Sequence, residues 1–148
     1  MESIIFIGIQ ASGKTTFYKK YFFDTHIRIS LDQLNTRNKQ NKFLQTCFET
    51  QSKFVVDNTN PDKNIRSDFI EQSKNNNYKI IGYYFSSKVH QSIERNNNRE
   101  GKNRIPEIGI KGTFNKLELP SFDEGFDNLY FVELIDNGFV IKEWNDEI

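Results

Sequence analysis

Two periodicities alternate along this chain, and each change of period marks an element. Ile4-Ile5-Phe6-Ile7 is a continuous apolar run of strand length, the pattern of a strand buried on both faces. A glycine-bounded stretch from Gly8 to Gly13 interrupts it, and Thr16-Phe17-Tyr18-Lys19-Lys20, free of Gly and Pro, predicts a helix. His26-Ile27-Arg28-Ile29-Ser30 alternates and predicts a second strand. Phe43, Leu44, Cys47 and Phe48 then fall at near-helical spacing, predicting one helix over about residues 31–51. Phe54-Val55-Val56 predicts a short buried strand, ended by Asp57-Asn58-Thr59-Asn60-Pro61. Pro61 suits the first position of a helix with Asn60 as its cap, running to about Lys74. Asn75-Asn76-Asn77 predicts a turn, 78–85 the longest strand, and Ser86 or Ser87 the cap of a helix over 88–98.

Strands followed by helices, repeated in this way, predict an α/β fold: a parallel sheet with helices on both faces. Ligands bind such sheets at the carboxyl ends of the strands, where Gly8, Asp32, Asp57 and Ser86 all fall. Residues 99–104 are polar and contain a glycine, predicting a short mobile lid, and Pro106 is placed to start a last helix that ends before Pro120. Residues 129–135 and 139–144 predict a C-terminal strand pair joined by a tight Asp136-Asn137-Gly138 turn. With no internal repeat and no linker, the expectation is a single domain over residues 1–148.

The stretch Gly8-Ile9-Gln10-Ala11-Ser12-Gly13-Lys14-Thr15 fits the phosphate-binding pattern G-x-x-x-x-G-K-[ST] at every fixed position, and it lies between a predicted strand and a predicted helix. Glycines let the backbone turn its N–H groups inward, and the helix N-terminus adds partial positive charge toward bound phosphates. Lys14 can reach the outer phosphates and the Thr15 hydroxyl can ligate magnesium, so residues 8–16, Thr16 included, are the expected site for a nucleoside triphosphate.

Composition changes the picture in two ways. One cysteine, Cys47, allows no internal disulfide, and no apolar run approaches the roughly 20 residues that span a bilayer. A chain that opens on a core strand leaves no room for a secretion leader, and the expectation is a soluble, cytoplasmic protein without an evident protein partner. Net charge is zero, yet residues 1–117 hold 19 Lys/Arg against 11 Asp/Glu while residues 118–148 hold 1 against 9. A basic body with an acidic tail suits a polyanionic ligand, and it equally describes a solvated surface with segregated charge.

Four side chains carry candidate chemistry. Asp32 follows a strand beside the loop and could accept the proton of an attacking hydroxyl, or could simply cap a helix. Asp57 ends an apolar strand and could orient magnesium or its waters, or could form an Asx-turn into Asn58. Arg95 and Arg99, four apart, can lie on one helix face and reach over the phosphates, or form a solvated basic face. His26 and His90 lack partners at metal-ligand spacing.

The sequence resembles the kinase domain of polynucleotide 5′-hydroxyl kinases, particularly that of the animal polynucleotide kinase–phosphatase and its small bacterial relatives. The matching pieces are GIQASGKTTF at 8–17, Asp32, VVDNTNPD at 55–62, RNNNRE at 95–100 and LPSFDEGF at 119–126, in the family's order and over most of the chain. The resemblance implies a P-loop kinase-like fold, with Lys14 and Thr15 holding ATP and magnesium and Asp32 as general base. It further implies Asp57 behind the magnesium waters and Arg95 or Arg99 as lid arginine. Family members often carry Arg directly before the base, and some carry another three residues after it; this chain has Leu31 and Asn35, leaving Arg28 or Arg37 for the acceptor's phosphate. The implied reaction is γ-phosphoryl transfer from ATP to a DNA or RNA 5′-hydroxyl. The alternatives on the same scaffold are a small-molecule hydroxyl kinase and a nucleotide-dependent switch.

Overall fold

The computed structural model describes residues 1–136 and 138–146. Its centre is one six-stranded sheet flanked by helices. In chain order the elements are β1 (Glu2–Ile7), α1 (Lys14–Tyr21), β2 (Ile27–Ile29), α2 (Leu31–Leu34), α3 (Arg37–Thr50), β3 (Phe54–Val56) and α4 (Lys63–Asn75). There follow β4 (Lys79–Phe85), α5 (Val89–Asn97), α6 (Glu107–Lys116), β5 (Asn128–Ile135) and β6 (Gly138–Glu143). The strand order is β2-β3-β1-β4-β5-β6, parallel throughout except for β6, which runs antiparallel to β5. The expected parallel sheet and C-terminal strand pair are therefore present; Asn137 of the expected turn lies outside the described residues.

β1 is apolar on both faces because helices cover both. Ile5 and Ile7 join Leu44, Phe48, Phe69 and Ile70 on the face covered by α3 and α4, whereas Ile4 and Phe6 join Phe17, Tyr18 and Phe22 of the α1 side. Phe17 meets Phe6, Phe85 and Phe139 edge-on, with ring centroids 5.0–5.8 Å apart. Gly82 in mid-β4 has its own reason: a Cβ there would stand 2.8 Å from the ring of Phe126 and 2.7 Å from Leu129.

Three local expectations are corrected. The single helix over 31–51 is two, because Asn35 turns to φ +67° and Thr36 caps α3, its hydroxyl accepting from the Lys39 N–H at 3.2 Å. α4 is capped by Asp62, which accepts from the Ile65 N–H at 2.8 Å, and not by Asn60. Neither Ser86 nor Ser87 caps α5, whose flanking residue is Lys88, without a side-chain cap. No helix among the described residues is long and apolar enough to cross a membrane.

Candidate active site

The loop after β1 is held from both neighbouring strands. The Gly8 N–H donates to the Thr59 carbonyl at 3.0 Å, in the segment after β3, and the Ile9 N–H to Ser87 Oγ at 3.4 Å, after β4. Ser12 Oγ closes the loop by donating to the Ile9 carbonyl at 2.8 Å, and Ile9 is fully buried beneath it. Gln10 ties the loop to α6 through Nε2, which donates to Thr113 Oγ1 at 3.0 Å. Ala11 and Gly13 take left-handed φ values of 58° and 100°. A Cβ on Gly13 would also stand 3.1 Å from Phe139, and one on Gly8 3.0 Å from Phe85 Cβ and Ser12 Oγ, so both glycines keep a cradle that a side chain would fill. α1 starts from Gly13 with no side-chain cap, which leaves its first N–H groups to an outside acceptor.

Lys14 is folded back into this cradle. Its ammonium donates to the Gly8 carbonyl at 2.9 Å, the Ile9 carbonyl at 2.6 Å and Ser12 Oγ at 3.5 Å. Burial brings its pKa down from 10.5 to about 8; Asp57 opposes the shift, Arg99 adds to it and Asp32 opposes it.

Thr15 and Asp57 meet next to it. Thr15 Oγ1 donates to Asp57 Oδ2 at 3.0 Å, and Arg28 from β2 donates through Nε to the same oxygen at 2.9 Å and through Nη2 to Thr15 Oγ1 at 3.3 Å. The carboxylate of Asp57 is thus engaged with Thr15 and Arg28. Asp32 is free of capping: Ser30 caps α2, its hydroxyl accepting from the Asp32 N–H at 3.2 Å, and the Asp32 side chain is exposed. Asn58 braces the same helix start, since Oδ1 accepts from the Leu31 N–H at 2.9 Å while Nδ2 donates to Gln40 at 2.8 Å.

Lys14, Thr15, Thr16, Arg28, Asp32, Asp57 and Arg99 line one cleft of about 810 Å³ at the carboxyl end of the sheet. Of the predicted residues outside the 8–16 loop, two stand apart from it. Arg37 lines a separate cleft with Asp68 and Gln72 between α3 and α4. Arg95 turns onto the loop itself, Nε donating to the Ala11 carbonyl at 2.6 Å, and burial holds its pKa below the ordinary guanidinium value. α5 ends at Asn97, so Arg99 lies past the helix and does not share a face with Arg95 as the spacing suggested.

Several residues shape the site in roles that the sequence did not assign to them. Asn96, between the two arginines, is buried; its amide donates to the Ile105 carbonyl and accepts from the Ile105 N–H at 2.8 Å, closing the 98–105 segment into a loop. Asn60 reaches under β1 to donate to the Phe6 carbonyl at 2.7 Å. Arg66 is fully buried, donating to the Asn60 carbonyl at 2.9 Å and pairing with Glu124, so the 57–61 turn is held by the Glu124-Gly125-Phe126 segment. The LPSFDEGF segment of the resemblance contains that partner, and the Ser-x-x-Glu spacing of Ser121 and Glu124, a capping box here, is a second sequence signal for it. Nothing local marks Arg66.

No family model matches the chain. It is 25% identical over 134 residues to the bifunctional polynucleotide phosphatase/kinase of Schizosaccharomyces pombe, covering 86% of this chain and 32% of that protein. It is 26% identical over 141 residues to a putative bifunctional polynucleotide phosphatase/kinase of Acanthamoeba polyphaga mimivirus, with 86% and 32% covered. The chain thus spans about a third of the length of the curated relatives it matches. Among solved structures, a gluconokinase from Sinorhizobium meliloti superposes with a TM-score of 0.62 at 17% identity, over 89% of this chain and 82% of its own. Kti12 of Chaetomium thermophilum in complex with ADP-AlF3 does so with 0.64 at 16% identity, over 90% of each chain. The fold is that of the P-loop kinases. In this P-loop kinase fold the glycine cradle fits a polyphosphate, and the Thr15 hydroxyl and Asp57 carboxylate are hard oxygen donors of the kind magnesium takes.

Proposed function

We propose that this chain transfers the γ-phosphoryl group of ATP to the 5′-hydroxyl end of a DNA or RNA strand. The observation that carries the reading is the Asp32 carboxylate, exposed and free of capping, on the same cleft as Lys14, Thr15 and Arg99. The similarity to two polynucleotide phosphatase/kinases supports the choice of acceptor.

Residues 8–16 bind the triphosphate through backbone N–H groups and the N-terminus of α1. Thr15 and Asp57 would hold magnesium, which would offset charge on the outer phosphates. Asp32 accepts the proton of the attacking hydroxyl as the new oxygen–phosphorus bond forms and the bond to the leaving ADP breaks. Lys14 and Arg99 neutralise the transferring group. Arg95 supports the loop through Ala11, and Arg28 is the candidate for the acceptor's phosphate.

The test is transfer of labelled γ-phosphate from ATP to 5′-hydroxyl oligonucleotides, DNA and RNA, with Asp32→Asn alongside. Expected is transfer to at least one, reduced by about 100-fold or more in the variant with ATP binding retained. Bound ATP without transfer to either strand points instead to a small-molecule hydroxyl, identified on a nucleoside and sugar panel. Hydrolysis at a rate indifferent to every acceptor points to a switch.

A further inference from the structure

The side chain of Asp57 is only 2% exposed, and a carboxylate so placed needs a cation beside it. In this structure the Lys14 ammonium acts on it from further away, and the cation in hydrogen-bond contact with it is Arg28, itself 17% exposed. Its fork grips both oxygens that suit a divalent ion: Nε donates to Asp57 Oδ2 at 2.9 Å and Nη2 to Thr15 Oγ1 at 3.3 Å. Asp57 Oδ2 accepts from both the Thr15 hydroxyl, at 3.0 Å, and Arg28 Nε, which fills the two lone-pair directions of that oxygen, so a metal taken there must displace one of them. A divalent ion and a guanidinium on one carboxylate also repel each other strongly in a site this dry.

We propose that Arg28 is the resident counter-ion of the Thr15–Asp57 pair, and that a divalent cation binds by displacing it. Metal loading and release of Arg28 are then one exchange. Arg28 lines the same cleft as Asp32, so the released guanidinium stays on the acceptor's side of the site, where a phosphate of the incoming strand can take it as partner. Binding of metal and of strand therefore strengthen one another, and by linkage each does so equally. The strand half rests on the polynucleotide reading; the metal half does not.

The experiment is the affinity for Mn2+ in the presence of ADP, read from the free-ion paramagnetic resonance signal, for wild type, Arg28→Met and Arg28→Lys, with and without a 5′-hydroxyl oligonucleotide. Without the strand, Arg28→Met is expected to bind Mn2+ at least about tenfold more tightly than wild type, the worth of the charge-assisted hydrogen bonds removed. Arg28→Lys keeps the charge without the fork and is expected in between; it decides the matter if the Met variant does not fold. With the strand, the wild-type affinity rises and that of Arg28→Met stays constant. Folded variants that bind Mn2+ no more tightly than wild type make Arg28 a structural partner of Asp57 and overturn the exchange. A strand that binds wild type without changing its Mn2+ affinity overturns the coupling. Failure of the strand to bind at all, with the Mn2+ difference intact, removes the polynucleotide reading and leaves the exchange standing.

Discussion

Arg66 and Glu124, 58 residues apart in the chain, meet inside the protein in a two-pronged ion pair, with Nε donating to Oε1 at 2.8 Å and Nη2 to Oε2 at 3.2 Å. A third donor, Nη1, holds the Asn60 carbonyl, and Glu124 also accepts from the Ser121 N–H at 2.9 Å. One side chain thus joins the turn after β3, which carries Asp57, to the segment that leads into β5.

Removing either partner strands a buried charge. Arg66→Ala or Glu124→Ala is expected to destabilise the protein by about 3–5 kcal/mol in urea unfolding. A measured cost under about 1 kcal/mol would put the pair in the class of surface salt bridges and contradict its burial.

Lys14 gives a pH signature. In the free protein its pKa is about 8, lowered from 10.5 by burial, so at pH 9 it is mostly neutral and at pH 7 mostly charged. Polyphosphate beside the ammonium favours the charged form and restores the pKa toward its ordinary value. Binding of ATP is then accompanied by uptake of nearly one proton at pH 9 and by almost none at pH 7, and affinity falls as pH rises through about 8. Calorimetry in two buffers of different ionisation enthalpy reads the uptake directly; equal heats at pH 9 would mean that Lys14 does not meet the phosphates.

Asn96 offers a variant that loosens the segment carrying Arg99 without removing any of the side chains placed in the proposed chemistry. Asn96→Ala removes both hydrogen bonds to Ile105 and leaves two half-buried backbone groups without partners, an expected cost of about 1–3 kcal/mol. Amide exchange over residues 98–105 should rise while β1 and β4 stay protected. Unchanged exchange in that segment would show that something else closes it.

A strand acceptor predicts salt dependence. If binding rests on phosphate contacts to the basic body, log affinity falls linearly with log salt, by about 0.7 per contacted phosphate for a single strand. An affinity flat in salt between low and physiological ionic strength would leave the nucleic-acid reading without its electrostatic basis.

The sequence alone was sufficient for β1, for the glycine-bounded loop after it and for a parallel sheet with a C-terminal strand pair, because apolar runs, helical spacing and glycine chemistry are each written within a few residues. It also brought Gly8, Asp32, Asp57 and Ser86 to one end of the sheet, since each lies close after a strand, and Lys14 and Thr15 with them through the loop that Gly8 opens. It misjudged Asn35 and Asn60, where an asparagine in a left-handed turn looks the same in the sequence as one in a helix or at a cap.

Only the tertiary structure decided what those side chains touch. Arg28 reaches Asp57 across 29 residues, Thr15 reaches it across 42, and Arg66 reaches Glu124 across 58. Arg95 and Arg99 part company because the helix that would have aligned them ends at Asn97, the chain being turned by the hydrogen bonds of Asn96 to Ile105. Such pairings depend on strand order and on which buried charges must be neutralised, and both exist only once the sheet has assembled.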